Sequence, residues 1–265
     1  MTITSLANPL VKRVRRLNDG KYRRAEGMFV VDGVQPVWRA VDAGADIEML
    51  LVAPDLVGTG PARRLVSGFE DAGGAVVRVS SHVFSSISDR DGPTGIAAIV
   101  RQQLATLPDF TVGIDSVFVG LYETANPGNL GTIIRAADSF GVAGIVLIGS
   151  TADPFAPVAV KASMGSLFAL PVVRVASADE LFAWAASNNV TTIATSARGA
   201  VATPGATFPK PSLVLLGSEG GGLPADVTAR SDMSVRVPMH GTASSLNLAV
   251  AAGILLYLAT TEASR

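Results

Sequence analysis

Three short segments in the second half of the chain combine glycines with polar side chains in an order that can do chemistry. The first runs Asn126-Pro-Gly-Asn-Leu-Gly-Thr-Ile-Ile-Arg135 and places Asn129 in a turn and Arg135 in the helix that follows. The second, Leu215-Leu-Gly-Ser-Glu-Gly-Gly-Gly-Leu-Pro224, sets Glu219 among Gly217, Gly220, Gly221 and Gly222. The third, Val237-Pro-Met-His-Gly-Thr-Ala-Ser-Ser-Leu-Asn247, delivers Ser245 and Asn247 to the start of an apolar helix. Glycines let a ligand lie against bare backbone, a guanidinium can anchor a phosphate, and amide and hydroxyl groups can orient a polar ligand. Each residue also has a plainer role. Arg135 can pair with Asp138 three positions on, the glycine run can be an ordinary turn, and Asn247 can tie down a loop. The run Gly220-Gly-Gly-Leu-Pro-Ala225 fits a loose dinucleotide-binding fingerprint. That reading needs the fingerprint to open its domain, with an acidic residue at a strand end about 20 residues later, and the chain meets neither condition. His82 and His240 are far apart in sequence, and there is no cysteine, so no metal site and no disulfide is expected.

The elements that must position these residues alternate. From the apolar run Met28–Val31 onward, a helix is expected over 35–43, a strand over 47–53, a helix over 61–72 and a strand over 75–79, with 95–100 closing the amino-terminal part. Residues 101–108 break this rhythm as a linker. Strands are then expected at 111–121, 144–148, 172–175, 191–195 and 212–216. Helices are expected at 130–140, 159–166, 178–188 and 244–260. Strands separated by helices imply an α/β fold with a mostly parallel sheet covered on both faces. The final helix is apolar nearly all round, which implies burial on most sides or a subunit interface.

Net charge is −1 over 265 residues, but residues 1–30 carry seven basic side chains against two acidic ones. Lys12, Arg13, Arg15, Arg16, Arg23 and Arg24 in this arm are candidate phosphate contacts; a solvated amphipathic helix is the plainer alternative. The longest apolar stretch, 248–259, is 12 residues. A bilayer span needs about 20. With no apolar signal-like run at the start, a cytoplasmic protein without a membrane partner is expected.

In this order and spacing the three segments resemble motifs 1, 2 and 3 of the SpoU (TrmH) family of RNA ribose 2′-O-methyltransferases, within the SPOUT superfamily. The resemblance implies a two-domain α/β protein. Residues 1–105 would be a small L30e-like RNA-binding domain, similar at Phe29-Val-Val-Asp-Gly33 and Gly92-Pro-Thr-Gly-Ile96. Residues 106–265 would be the methyltransferase domain, whose mostly parallel sheet carries a trefoil knot. Carried over residue by residue, the catalytic set is Asn129, Arg135, Glu219, Ser245 and Asn247. S-adenosyl-L-methionine is the implied cofactor, with contacts at Gly217, Val237 and Leu246 and at Thr195 in the loop 195–199. Asn126 stands where an Asp is common, and Leu248-Ala249 replaces a frequent Val-Ser.

The resemblance further implies a homodimer and an RNA substrate, 23S rRNA first and tRNA second. A catalytically silent RNA-binding relative is a third reading; retention of all five polar positions argues against it. A guanidinium is a poor proton acceptor, so the expected role of Arg135 is positioning first and proton removal second.

Overall fold

The computed structural model describes residues 2–89, 92–196, 199–203 and 206–261, and divides into two compact units. Met1–Gln103 with Phe155–Ala169 forms one; Leu104–Pro154 with Leu170–Arg265 forms the other.

In the first unit, β1 (Thr2–Ile3), α1 (Pro9–Arg16), α2 (Gly20–Glu26), β2 (Met28–Asp32), α3 (Val34–Asp42), β3 (Ile47–Val52), α4 (Pro61–Asp71), β4 (Val76–Val79), α5 (Ser81–Ser85) and β5 (Ile96–Arg101) follow in order. The sheet order is β1-β4-β3-β5-β2, with β5 antiparallel to both of its neighbours. Asn8 and Asp19 cap α1 and α2 by accepting backbone N–H bonds at 2.9 and 2.7 Å, and Gly27 ends α2 in the left-handed region. These two short helices are the charged arm, and their apolar residues Val11, Val14 and Leu17 are buried in the core.

The second unit starts with β6 (Val117–Tyr122), α6 (Pro127–Ser139) and β7 (Gly144–Ile148). The chain then contributes α7 (Pro157–Ser163) to the first unit, where Phe155 meets Phe29 with ring centroids 4.8 Å apart. The sequence placed this helix, expected at 159–166, in the carboxyl-terminal domain. Apolar packing on β2 decides otherwise. The second unit resumes with β8 (Val172–Val175), α8 (Ala178–Ser187), β9 (Thr191–Thr195), β10 (Val201–Ala202), β11 (Ser212–Leu216), α9 (Ala225–Arg230), β12 (Met233–Arg236) and α10 (Leu248–Thr261). The largest departures from the expected bounds are at two element starts. β6 starts at Val117 rather than at 111, and α10 starts at Leu248 rather than at 244.

The sheet order β10-β12-β9-β11-β6-β7-β8 is parallel at every paired strand. All five residues of β7 and all five of β11 are buried, as expected for a parallel sheet covered on both faces. Strand addition runs from β6 to β8 in one direction and then reverses. β9 lies beyond β6 on the other side, and β11 fills the gap between them. Such a reversal leaves a crevice outside the carboxyl ends of the strands, the usual ligand position in open α/β sheets. Among the described residues, no helix is long and apolar enough to cross a membrane.

Candidate active site

The segments that follow β6, β9, β11 and β12 leave the sheet at the same edge because the strands are parallel. The first begins α6. Asn126 is its cap, with Oδ1 accepting from the N–H groups of Gly128 at 2.8 Å and Asn129 at 3.1 Å, and Pro127 takes the first helical position, where no N–H is needed. Sequence reading had noted Asn126 only as a departure from a family pattern. The Asn-Pro step at a helix start was the signal for its capping role.

The second segment closes on itself. Ser218 and Gly222 exchange backbone bonds at 3.1 and 3.0 Å, and Ser218 Oγ accepts from Gly221 N–H at 3.2 Å. Gly222 has φ 67°, in the region that favours glycine. At Gly217 the constraint is space, since a Cβ there would collide with the backbone of Gly222 and Leu223.

One chain of hydrogen bonds ties the three segments together. Asn247 Oδ1 accepts from the first-turn N–H groups of Ala249 (2.9 Å) and Val250 (3.3 Å). Its Nδ2 donates to Asn129 Oδ1 at 3.0 Å. Asn129 Nδ2 in turn donates to Glu219 Oε1 at 3.1 Å, while Glu219 Oε2 accepts from Ala125 N–H at 3.3 Å. The direction is forced. Helix N–H groups require the oxygen of Asn247, which turns its NH2 to Asn129; the NH2 of Asn129 must then face an acceptor, the carboxylate of Glu219. Asn247 is therefore the cap of α10, and it is exposed.

Burial raises the pKa of Glu219. The hydrogen bonds from Asn129 and from the backbone of Glu219, Ala125 and Asn126 together outweigh it and hold the carboxyl below its ordinary value. Because the folded pKa is depressed, the network is intact at neutral pH and loosens only as pH falls through that lowered value. Replacing Asn129 by Asp tests the polarity of the chain. Two carboxylates would then face each other, so one must hold a proton for the contact to survive. Asn129→Asp is expected to weaken ligand binding in the adjoining cleft at neutral pH and to regain part of it as pH is lowered through the carboxylate range, the reverse of wild type; titration across pH reads this directly.

Beside this network lies a cleft of about 590 Å³. Thr195, Gly217, Val237 and Leu246 line it, as do Glu219, Ser245 and Asn247. Met239, which sequence reading missed, adds an apolar wall. Ala197 and Arg198 of the loop 195–199 lie outside the described residues. Among the described lining residues there is no lysine or arginine. That composition, with the Glu219 carboxylate in it, suits a ligand that carries an apolar ring and a positive centre. The volume falls within the usual range for small-molecule sites, roughly 300–1,000 Å³.

Arg135 stands outside the hydrogen-bonded chain, exposed on α6. Six residues at about 100° each separate it from Asn129, so the two side chains leave the helix about 120° apart and about 9 Å apart along its axis. Ser245 is at the cleft and exposed.

The basic arm divides in the structure, which corrects its expected role in part. Arg23 is buried, with Nη1 donating to the carbonyls of Leu17 (2.9 Å) and Asn18 (2.8 Å) at the end of α1. Arg13 bonds Glu26 at 2.7 Å and Glu48 at 2.5 and 2.8 Å, and its guanidinium holds the Glu48 carboxyl below the ordinary range. Both arginines serve the fold rather than an open phosphate surface. Arg15 Nε donates to the Ser86 carbonyl at 3.2 Å. Lys12, Arg16 and Arg24 are exposed.

A profile described as the SpoU rRNA Methylase family matches residues 116–257, more than half of the chain. The chain belongs to the SpoU rRNA methylase family. A second profile, the MRM3-like substrate binding domain, matches residues 8–98. Among curated SpoU relatives, the 23S rRNA (uridine(2479)-2′-O)-methyltransferase of Streptomyces viridochromogenes is 33% identical, aligned over 92% of this chain and 86% of its own. The 23S rRNA (guanosine(2553)-2′-O)-methyltransferase RlmP of Bacillus subtilis is 31% identical over 96% and 97%. In three dimensions the chain is similar to the AdoMet-bound rRNA methyltransferase of Sinorhizobium meliloti, with a TM-score of 0.88 and 36% identity over 98% and 97% of the two chains. The SpoU match spans all three segments.

Proposed function

We propose that this protein is an S-adenosylmethionine-dependent methyltransferase acting on a ribose 2′-hydroxyl of 23S rRNA. The observation that carries this reading is the chain Asn247–Asn129–Glu219 set beside a cleft lined by Thr195, Gly217, Val237 and Leu246. Both curated relatives named above modify 23S rRNA at ribose and align over nearly their whole length, which favours rRNA over tRNA and a cytoplasmic setting. On this reading residues 1–105, with Phe155–Ala169 packed into the same unit, form the RNA-binding domain, and the rest of 106–265 forms the methyltransferase domain, which carries the trefoil knot.

When bound, S-adenosylmethionine supplies an electrophilic methyl group. The residues of this chain do the rest. Bare backbone at Gly217 and the apolar walls Val237, Met239 and Leu246 seat the adenosyl part, with the Glu219 carboxylate at the rim. Asn129, fixed by Glu219 and Asn247, presents an oriented amide to the ribose, and Ser245 offers a hydroxyl at the same mouth. Arg135 holds an RNA phosphate so that the 2′-oxygen is in line for attack, which is where most of the rate advantage of positioning arises. Incubation with labelled S-adenosylmethionine and ribosomal RNA should label the large-subunit RNA. Alkaline hydrolysis should then show a gap at one nucleotide, because a 2′-O-methyl group removes the internal nucleophile. A full ladder with label on the base would refute the assignment to ribose.

The same reading includes a homodimer through α10. Ala249, Ala252, Leu255, Leu256 and Ala259 are buried within the chain, yet Val250, Ile254 and Tyr257 are 53%, 36% and 52% exposed along one line of the helix. A second copy would cover that line. Val250→Asp is expected to give a monomer in sedimentation with the fold retained, whereas Leu255→Asp buries an unpaired charge and should unfold the chain.

A further inference from the structure

With Arg13 and Arg23 committed to internal partners, the cationic surface left on α1 and α2 is small and has an aromatic ring in it. Lys12 and Arg16, four residues apart, share the outer line of α1, opposite the buried Val11 and Val14. The Arg16 guanidinium sits over the ring of Tyr22 on α2, 5.6 Å from its centroid. Tyr22 is 37% exposed. Lys21 precedes it and is exposed. An exposed ring braced by a guanidinium, with the exposed ammonium groups of Lys12 and Lys21 on the same two helices, has the two components of a single-strand binding surface: a face on which a base can stack, and charges that follow the backbone. A duplex offers phosphates to such a surface but no free base face.

We propose that Tyr22, held by Arg16, stacks on an unpaired nucleobase of the RNA substrate, with Lys12 and Lys21 contacting the flanking phosphates. This inference rests on the RNA methyltransferase reading and extends it to the class of RNA recognised, an unpaired segment rather than a continuous helix. Tyr22 is a binding residue that charge patterning alone passes over.

The full-length protein tests it with two labelled 12-nucleotide strands, oligouridylate and an abasic ribose-phosphate strand of equal charge. Wild type should bind the uridylate about ten-fold more tightly, the order of one base–aromatic stack. Tyr22→Ala and Tyr22→Leu should lose that preference and keep the salt dependence of binding, while Tyr22→Phe should retain the preference. Lys12→Ala should weaken both strands alike and reduce the salt slope. Tyr22→Leu keeps apolar bulk, so a stability defect in the alanine variant does not decide the result. Equal binding of both strands by wild type, no binding of either, or an undiminished preference in both Tyr22→Ala and Tyr22→Leu overturns the proposal. Methyl transfer to ribosomal RNA is measured separately, so activity with no base preference would defeat the stacking site and leave the proposed function standing.

Discussion

Arg135→Ala is expected to leave the fold and cofactor binding near wild type and to lower methyl transfer by about 100-fold or more. The structure supports both halves of this expectation. Arg135 is exposed on α6, outside the Asn247–Asn129–Glu219 chain and absent from the lining of the cleft, so its removal leaves no buried group unpaired and no wall missing. Its loss removes the cation proposed to hold an RNA phosphate, and a misplaced ribose is slow to react even with a full cofactor site. Arg135→Lys should fail nearly as badly, because a point charge does not reproduce the planar fork. Single-turnover methylation with saturating RNA, alongside calorimetric titration of S-adenosylhomocysteine, separates the two effects. Full activity in Arg135→Ala would reduce the residue to a solvated surface arginine.

Gly217→Ala should produce the opposite pattern, a loss of cofactor affinity from ten-fold to a hundred-fold with RNA binding preserved. The added methyl group meets the backbone of Gly222 and Leu223, not a side chain that can swing away, so the Ser218–Gly222 turn must open. Overpacking of this kind costs about 1–3 kcal/mol, and each 1.4 kcal/mol is a factor of ten in affinity. Gly220→Ala is the matching control. A Cβ there meets nothing within 4 Å, so the turn itself should be unaffected, and any loss of affinity would mean that the ligand lies against that residue. Equal cofactor binding by Gly217→Ala and wild type would show that the loop rearranges freely and that the turn does not shape the cleft.

The sequence by itself determined the main alternation of strands and helices, the class of fold and the identity of the three segments, while the short elements β1, α2, α5, β10 and α9 were not legible in it. Strands such as 144–148 and 212–216 are continuous apolar runs, and buried parallel strands have no alternation to obscure them. Asn129, Glu219 and Asn247 were legible because each stands in a Gly- or Ser-rich segment between a strand and a helix, where local sequence dictates local shape. What the sequence could not determine was set by contacts between residues distant in the chain. The insertion of β11 between β9 and β6 brings segments about 90 residues apart to one crevice, and no local pattern encodes strand order. The direction of the Asn247–Asn129–Glu219 chain follows from which oxygen the first turn of α10 claims, a fact that exists only once helix and turn meet. The helix 157–163 reads as part of the second domain until its apolar face finds β2. The basic arm is the sharpest case. Charge counting treats its arginines alike, but Glu26, Glu48 and two helix-end carbonyls consume Arg13 and Arg23, because a buried or half-buried guanidinium must find acceptors. Composition counts charges; only the tertiary structure decides which of them face solvent.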